Sequence, residues 1–278
     1  MDDFTARIFT QAPVPLLGIL LLLLLWGAMQ VGILIRRRRK GAFVHGEEAE
    51  EDTHEGYIVS GALGLLALLL GFTFALAVDR YDGRRALVLE EANAIGTTYL
   101  RAQLLDEPYR SQLSETLRAY TGNRLELAEA PPGDRQLGLL AQSDVLQKRL
   151  WTQTVAAIRP IRGLEISSTF VDAMNLTIDE GAARVAARRA HVPPRVLVVL
   201  LVYMVISALI LGYVMSRSPK RTATAVLLGL VTLAYLLILD IDRPTGGGIR
   251  EPQTPMRDLL ATMKESPPAS YGTVVKGP

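Results

Sequence analysis

The sequence predicts an all-α integral membrane protein with four transmembrane helices and a helical extramembrane domain inserted between spans two and three. Three observations carry this. Apolar residues make up 49% of the 278 and are gathered into four runs instead of being dispersed, as expected where lipid is the solvent. Charged residues crowd at the ends of those runs, where a chain leaves hydrocarbon. Between the second and third runs, apolar residues recur every three or four positions, the mark of amphipathic helices in water.

The totals also exclude classes. A net charge of +2, with the basic residues beside apolar runs, gives no footprint for nucleic acid. With no cysteine there is no disulfide framework, thiol nucleophile or thiolate metal site. No glycine-rich phosphate loop, HExxH or GxSxG is present, so neither catalysis nor a cofactor is expected.

In chain order, residues 1–15 hold Asp2, Asp3 and Arg7 before Pro13 and Pro15, without the basic start of a secretory signal peptide. Residues 16–35 form the first span, stopped by Arg36 to Lys40. Residues 36–56 are expected to be a charged, solvated and partly disordered connector. Its His45 and His54 lack chelating spacing, so no metal site is expected. Residues 57–78 form the second span, and at about 1.5 Å per residue they suffice for a hydrocarbon core of roughly 30 Å.

Within that span Ser60, Gly64, Ala67, Gly71 and Ala75 recur at helical spacing, with Phe72 beside Gly71. Small residues let helix backbones approach closely in lipid. The stripe therefore suits either close packing inside one subunit or a pore-lining or subunit-contact face.

Residues 79–195 form the helical domain. New helices are expected after Asp106-Glu107-Pro108 and from Asp134, past the break at Ala130-Pro131-Pro132-Gly133, and a last one over residues 164–190. Leu113, Leu117, Tyr120, Arg124 and Leu127 share one face, apolar apart from one arginine. Glu90, Glu91 and Asn93 interrupt the apolar character of the helix that continues the second span.

Residues 196–215 and 222–239 are the third and fourth spans, antiparallel because only Ser216 to Arg221 joins them. Residues 240–278 close the sequence, with a short surface helix begun at Thr254-Pro255 and a loose tail beyond Ser266. An even number of spans puts both chain ends on one side. It also brings Asp79, Arg80, Arg84, Arg85, Asp240, Asp242 and Arg243 to one face as a charged mouth, with carboxylate to guanidinium contacts expected between the ends of spans two and four. The positive-inside rule makes the face of Arg36 to Lys40 cytoplasmic, leaving the termini and helical domain outside the cell inner (plasma) membrane.

Leu70-Gly71-Phe72, Asp79-Arg80-Tyr81 and Arg84-Arg85 together resemble the second-helix signature of bestrophins. The chain is more similar still to the bacterial bestrophin-like membrane proteins of unknown function. That likeness extends to Glu90-Glu91-Ala92-Asn93-Ala94-Ile95, Asp242-Arg243-Pro244 and Pro255-Met256-Arg257. The resemblance implies a homo-oligomer, as in the pentameric bestrophin anion channels, with a pore lined by the second helix and a cytosolic helical domain. The chain departs from that pattern at Thr73, Phe74 and Ala75, where bestrophins carry asparagines, and in its long connector. The domain's side of the membrane stays open between the two arguments.

Two functions fit. One is an oligomeric channel for small inorganic anions, with the second span lining the path and the arginine-rich exit as its mouth. The other is a non-conducting membrane scaffold or sensor whose helical domain binds a partner. Beyond the lipid bilayer, the partners expected are further copies of the chain and small anions.

Overall fold

A computed structural model describes residues 12–40, 48–214 and 221–271. Nine helices are described. They are α1 (Val14–Lys40), α2 (Glu48–Ala102), α3 (Tyr109–Glu129), α4 (Asp134–Ile158), α5 (Glu165–Arg189), α6 (Pro194–Val214), α7 (Arg221–Asp242), α8 (Thr254–Glu265) and α9 (Pro268–Tyr271). No strand occurs among the described residues. Among the described residues four stretches are long and apolar enough to cross a membrane, and they cover the four predicted spans as far as these are described, the third to Val214.

The chain divides into two units, one of residues 1–80 and 191–249, the other of 81–190 and 250–278. α2, a single helix of 55 residues, contributes to both.

In the first unit α1 packs against α6 and α7. Leu21, Leu25 and Met29 of α1 are buried, as are Leu197, Leu200, Met204, Ala208 and Leu211 of α6, all stepping by three or four. At the crossing, glycines replace side chains on both helices. A Cβ on Gly32 would overlap the carbonyl oxygen of Leu209, and one on Gly212 would overlap that of Met29. Such reciprocal contact of bare backbone lets dispersion act where apolar burial gives no advantage. Large side chains turned outward, among them Ile19, Leu23, Val199, Ile206, Val226 and Leu233, are exposed. Sets of this size on membrane-crossing helices are surface that lipid or a further subunit would cover.

Two expectations change here. α1 does not stop at Arg36, because its guanidinium is buried and donates to the carbonyl oxygens of Tyr213 (3.0 Å) and Val214 (3.3 Å). These are end carbonyls of α6, left without intrahelical partners and favouring a cation, and Arg36 also lies 5.2 Å from the Tyr213 ring centroid. The connector expected over 36–56 is also largely helical, since α1 reaches Lys40 and α2 starts at Glu48. His45 and Ser216 to Lys220 lie outside the described residues.

In the second unit α3 packs against α4 and α8, and α4 against α5. Their common core joins Val88, Ile95 and Tyr99 of α2, Leu113, Leu117 and Tyr120 of α3, Leu150 of α4 and Phe170 and Met174 of α5. The breaks fall where the prolines and glycines place them. Glu107 accepts the Ser111 backbone N–H (3.3 Å) at the start of α3, and Gly133, at φ 135°, precedes α4. The helix begun at Thr254-Pro255 is present, with Met256 and Met263 buried in this core and its other residues exposed or half-buried. On α4 the buried face runs through Leu139, Ser143, Leu150 and Thr154, while Leu137 is exposed.

Gly32→Leu and Gly212→Leu should each lower stability by at least about 3 kcal/mol, since backbone cannot yield to overpacking as a side chain can. Gly229→Leu, where an added Cβ meets nothing within 4 Å, is the control. Monodispersity in detergent and the thermal unfolding midpoint check all three.

Candidate functional site

The first candidate is the second span, residues 57–78 of α2. Its buried stripe is Leu66, Leu70, Thr73 and Ala77. Ser60, Gly64, Ala67, Gly71 and Ala75 are all exposed, roughly 130° around the helix from that stripe at 100° per residue. An added Cβ at Gly64 or Gly71 meets nothing within 4 Å. At Gly64 and Gly71 the small residues thus meet no other helix of the described chain closely. Phe72, 66% exposed, leaves on the opposite flank, so it is separate from the stripe.

The charged mouth expected from sequence divides between the units. Asp79, Arg80, Asp240, Asp242 and Arg243 belong to the first, Arg84 and Arg85 to the second. Asp79 and Arg85 are exposed, Arg80 and Asp240 half-buried, and Arg84, Asp242 and Arg243 buried.

The acids ending α7 hold backbone. Asp240 accepts the N–H groups of Gly248 (2.7 Å) and Ile249 (3.0 Å), so the chain wraps around its carboxylate. Gly246 turns there at φ 85°, and a Cβ on Gly247 would lie 2.8 Å from Asp240 Oδ1, which accounts for the glycine run. Asp242 accepts the Val192 N–H (2.9 Å) and lies 3.5 Å from His191 Nδ1. Arg243 donates to the carbonyl oxygen of Ala12 (2.6 Å).

In the second unit, Arg84 Nε donates to Glu251 Oε1 at 2.7 Å, with both side chains 2% exposed. Nothing local in the sequence singled out Glu251, which lies just before the helix begun at Thr254-Pro255. Deeper in the same unit, Glu91 has no exposure and takes Arg124 Nε at 2.5 Å and Arg184 Nη1 at 2.6 Å. Arg184 also donates to Gln253 Oε1 (2.5 Å) and Arg124 to the carbonyl oxygen of Gly181 (3.0 Å). The lone arginine on the apolar face of α3 thus meets the acid that interrupts α2. α5 adds Arg184, which no local signal distinguished from the arginines around it.

The closeness of this core is set at Gly181, where a Cβ would overlap the Tyr120 hydroxyl. Burial pushes the Tyr120 pKa up to about 12, so the hydroxyl stays protonated, and it accepts a hydrogen bond from Gln147 Nε2 (3.0 Å). Arg188 donates to the carbonyl oxygens of Leu127 and Ala128 at the end of α3. Burial pulls the Arg188 pKa down to about 10; Glu251 opposes this, while Arg184, Arg124 and Arg84 add to it. No group of three or more His, Cys, Asp or Glu able to hold a metal occurs among the described residues.

Glu91→Ala should cost about 3–5 kcal/mol, because it strands two buried guanidinium groups. Glu129→Ala, which removes a water-exposed pair with Arg257, should cost no more than about 1 kcal/mol. Thermal unfolding in detergent separates the two.

Residues 22–255 match the family described as the Bestrophin-like domain. Among solved structures, a bacterial bestrophin homologue from Klebsiella pneumoniae with a tryptophan-to-alanine substitution is similar, at a TM-score of 0.64 and 14% identity. That likeness covers 94% of this chain and 99% of the other. A homologue from the same organism with a tyrosine-to-alanine substitution gives 0.61 and 14%, over 91% and 98%. A structure described as a membrane protein gives 0.62 and 13%, over 91% and 98%. At these identities the likeness shows the fold. No curated protein matches the chain.

Proposed function

We propose that this chain, which belongs to the Bestrophin-like family, assembles with copies of itself into a channel for small inorganic anions, with α2 lining the path. The observation that carries the reading is the exposure of Ser60, Gly64, Ala67, Gly71 and Ala75, with nothing within 4 Å of an added Cβ at Gly64 or Gly71. Side chains of that size leave room along an axis where several α2 helices converge, and they present no bulky apolar surface to lipid. Arg80 and Arg85 supply the positive charge at the exit, since rings of arginine favour anions. Arg84 has a different part, closed against Glu251. The chain sits in the inner membrane, and the basic residues Arg36 to Lys40 place the termini and the second unit outside.

Cysteine is absent from the sequence, so single-cysteine variants report without background. In the assembled protein Gly64→Cys and Gly71→Cys should react with a charged, water-soluble thiol reagent, while Leu20→Cys, on the lipid-facing side of α1, should not. Equal protection of all three would mean that the α2 stripe faces lipid or a dry interface. Liposomes containing the protein should pass anions above the empty-vesicle rate, and Arg80→Ala should lower the preference for anions over cations. A monomer in native mass measurements, with no flux, favours the scaffold reading. A reporter fused near Pro132 that is active only in the cytoplasm overturns the orientation.

A further inference from the structure

The buried charges of the second unit are unevenly matched. Arg84, Arg124 and Arg184 are buried and the Arg188 side chain nearly so, against two buried carboxylates, Glu91 and Glu251. Glu91 is taken up by Arg124 and Arg184. Glu251 faces the other two, with Oε1 at 2.7 Å from Arg84 Nε and Oε2 at 3.9 Å from Arg188 Nε.

Glu251 arrives on a short strap, not on a helix. Residues 243–253 join α7 to α8 outside any helix, and the strap is their last four, 250–253. The preceding Ile249 is held by Asp240, and Met256, just beyond, is buried in the core. Between those fixed points the strap is held by polar groups. Tyr81 donates to the carbonyl oxygen of Arg250 (3.4 Å), Gln253 Nε2 to that of Glu251 (3.1 Å), and Arg184 to Gln253 Oε1. Desolvation offsets most of the attraction within a buried ion pair, so such a segment can exchange its partners for water or another anion while the apolar core stays packed.

We infer that Arg84 and Arg188 form a binding site for a small carboxylate, which the chain fills with its own Glu251, and that a free carboxylate can take Glu251's place and release the strap. Arg84 Nε donates to one carboxylate oxygen and the Arg188 guanidinium faces the other at 3.9 Å, an arrangement that suits the two oxygens of one planar anion. Tethering gives Glu251 a high effective concentration, so only an abundant anion displaces it. The inference stands apart from the channel reading, because it concerns occupancy of a site in the second unit and is tested without measuring flux.

The test uses the full chain in detergent, with sodium formate as the probe and sodium chloride at equal ionic strength as the reference. Glu251→Ala should lower the unfolding midpoint by at least about 4 °C, and formate should restore at least half of that loss in a saturable way. Glu251→Gln, which fills the space without charge, should fall without rescue. Formate that stabilises the Gln variant or the unaltered chain as much as the Ala variant, or chloride that matches formate, overturns the site. Because Glu251→Ala can fail to fold, strap release is also read from Gln253→Cys, whose thiol is the only one present. Formate should speed its labelling by roughly threefold or more, since that rate follows the open population. A rate indifferent to formate overturns the displacement.

Discussion

A carboxylate with no exposure to water, held by two arginines, is the contact on which the second unit turns. Glu91 lies on α2, Arg124 on α3 and Arg184 on α5, so one side chain fixes the mutual register of three helices. Such an arrangement is a poor source of net stability, because desolvating three charges offsets most of their attraction. Its value is selectivity. An apolar core tolerates sliding by a turn, whereas a shifted helix here would leave a guanidinium buried without its acid.

The first unit is held by a different kind of contact, as its solvent requires. With lipid on the outside, burying leucine against leucine gains little, and close approach of backbones does more. The Gly32 and Gly212 crossing supplies that approach, and Arg36 closes the end of α6 where its carbonyls would otherwise lack partners. The two units are thus held by different contacts, buried ion pairs in one and close approach of bare backbone in the other.

What could be read from sequence follows from the range of each signal. The four spans and the breaks at Pro108 and Pro132 rest on local composition, and they lie where the runs and prolines put them. Arg124 stood out because it interrupts a helical apolar face, and Glu91 because it interrupts another; each signal is internal to one helix. Their pairing was not legible, since nothing local says which of many arginines meets which acid. The same limit hid the roles of Arg184, Glu251 and Gln253. The burial of Met256 and Met263 was not legible, because a short amphipathic helix near a chain end reads alike whether its apolar side meets a core or merely lies on a surface. The acidic start of α2 was taken for a loop because of its charge density. The small-residue stripe of α2 was legible as a stripe, but its exposure depends on where Leu66 and Leu70 are buried.

The second unit is made of two separated pieces of chain, residues 81–190 and 250–278, and this sets an order for biosynthesis. The ribosome delivers Glu91, Arg124 and Arg184 well before Glu251, Gln253 and Met256 exist. Until α6 and α7 have been threaded into the bilayer, the nascent domain holds arginines still in contact with water and a core lacking two methionines. Its closure therefore follows membrane insertion of the last span. A chain stalled or misinserted at that point carries an open, cationic, partly apolar surface, the kind of feature by which quality-control proteases recognise unfinished membrane proteins.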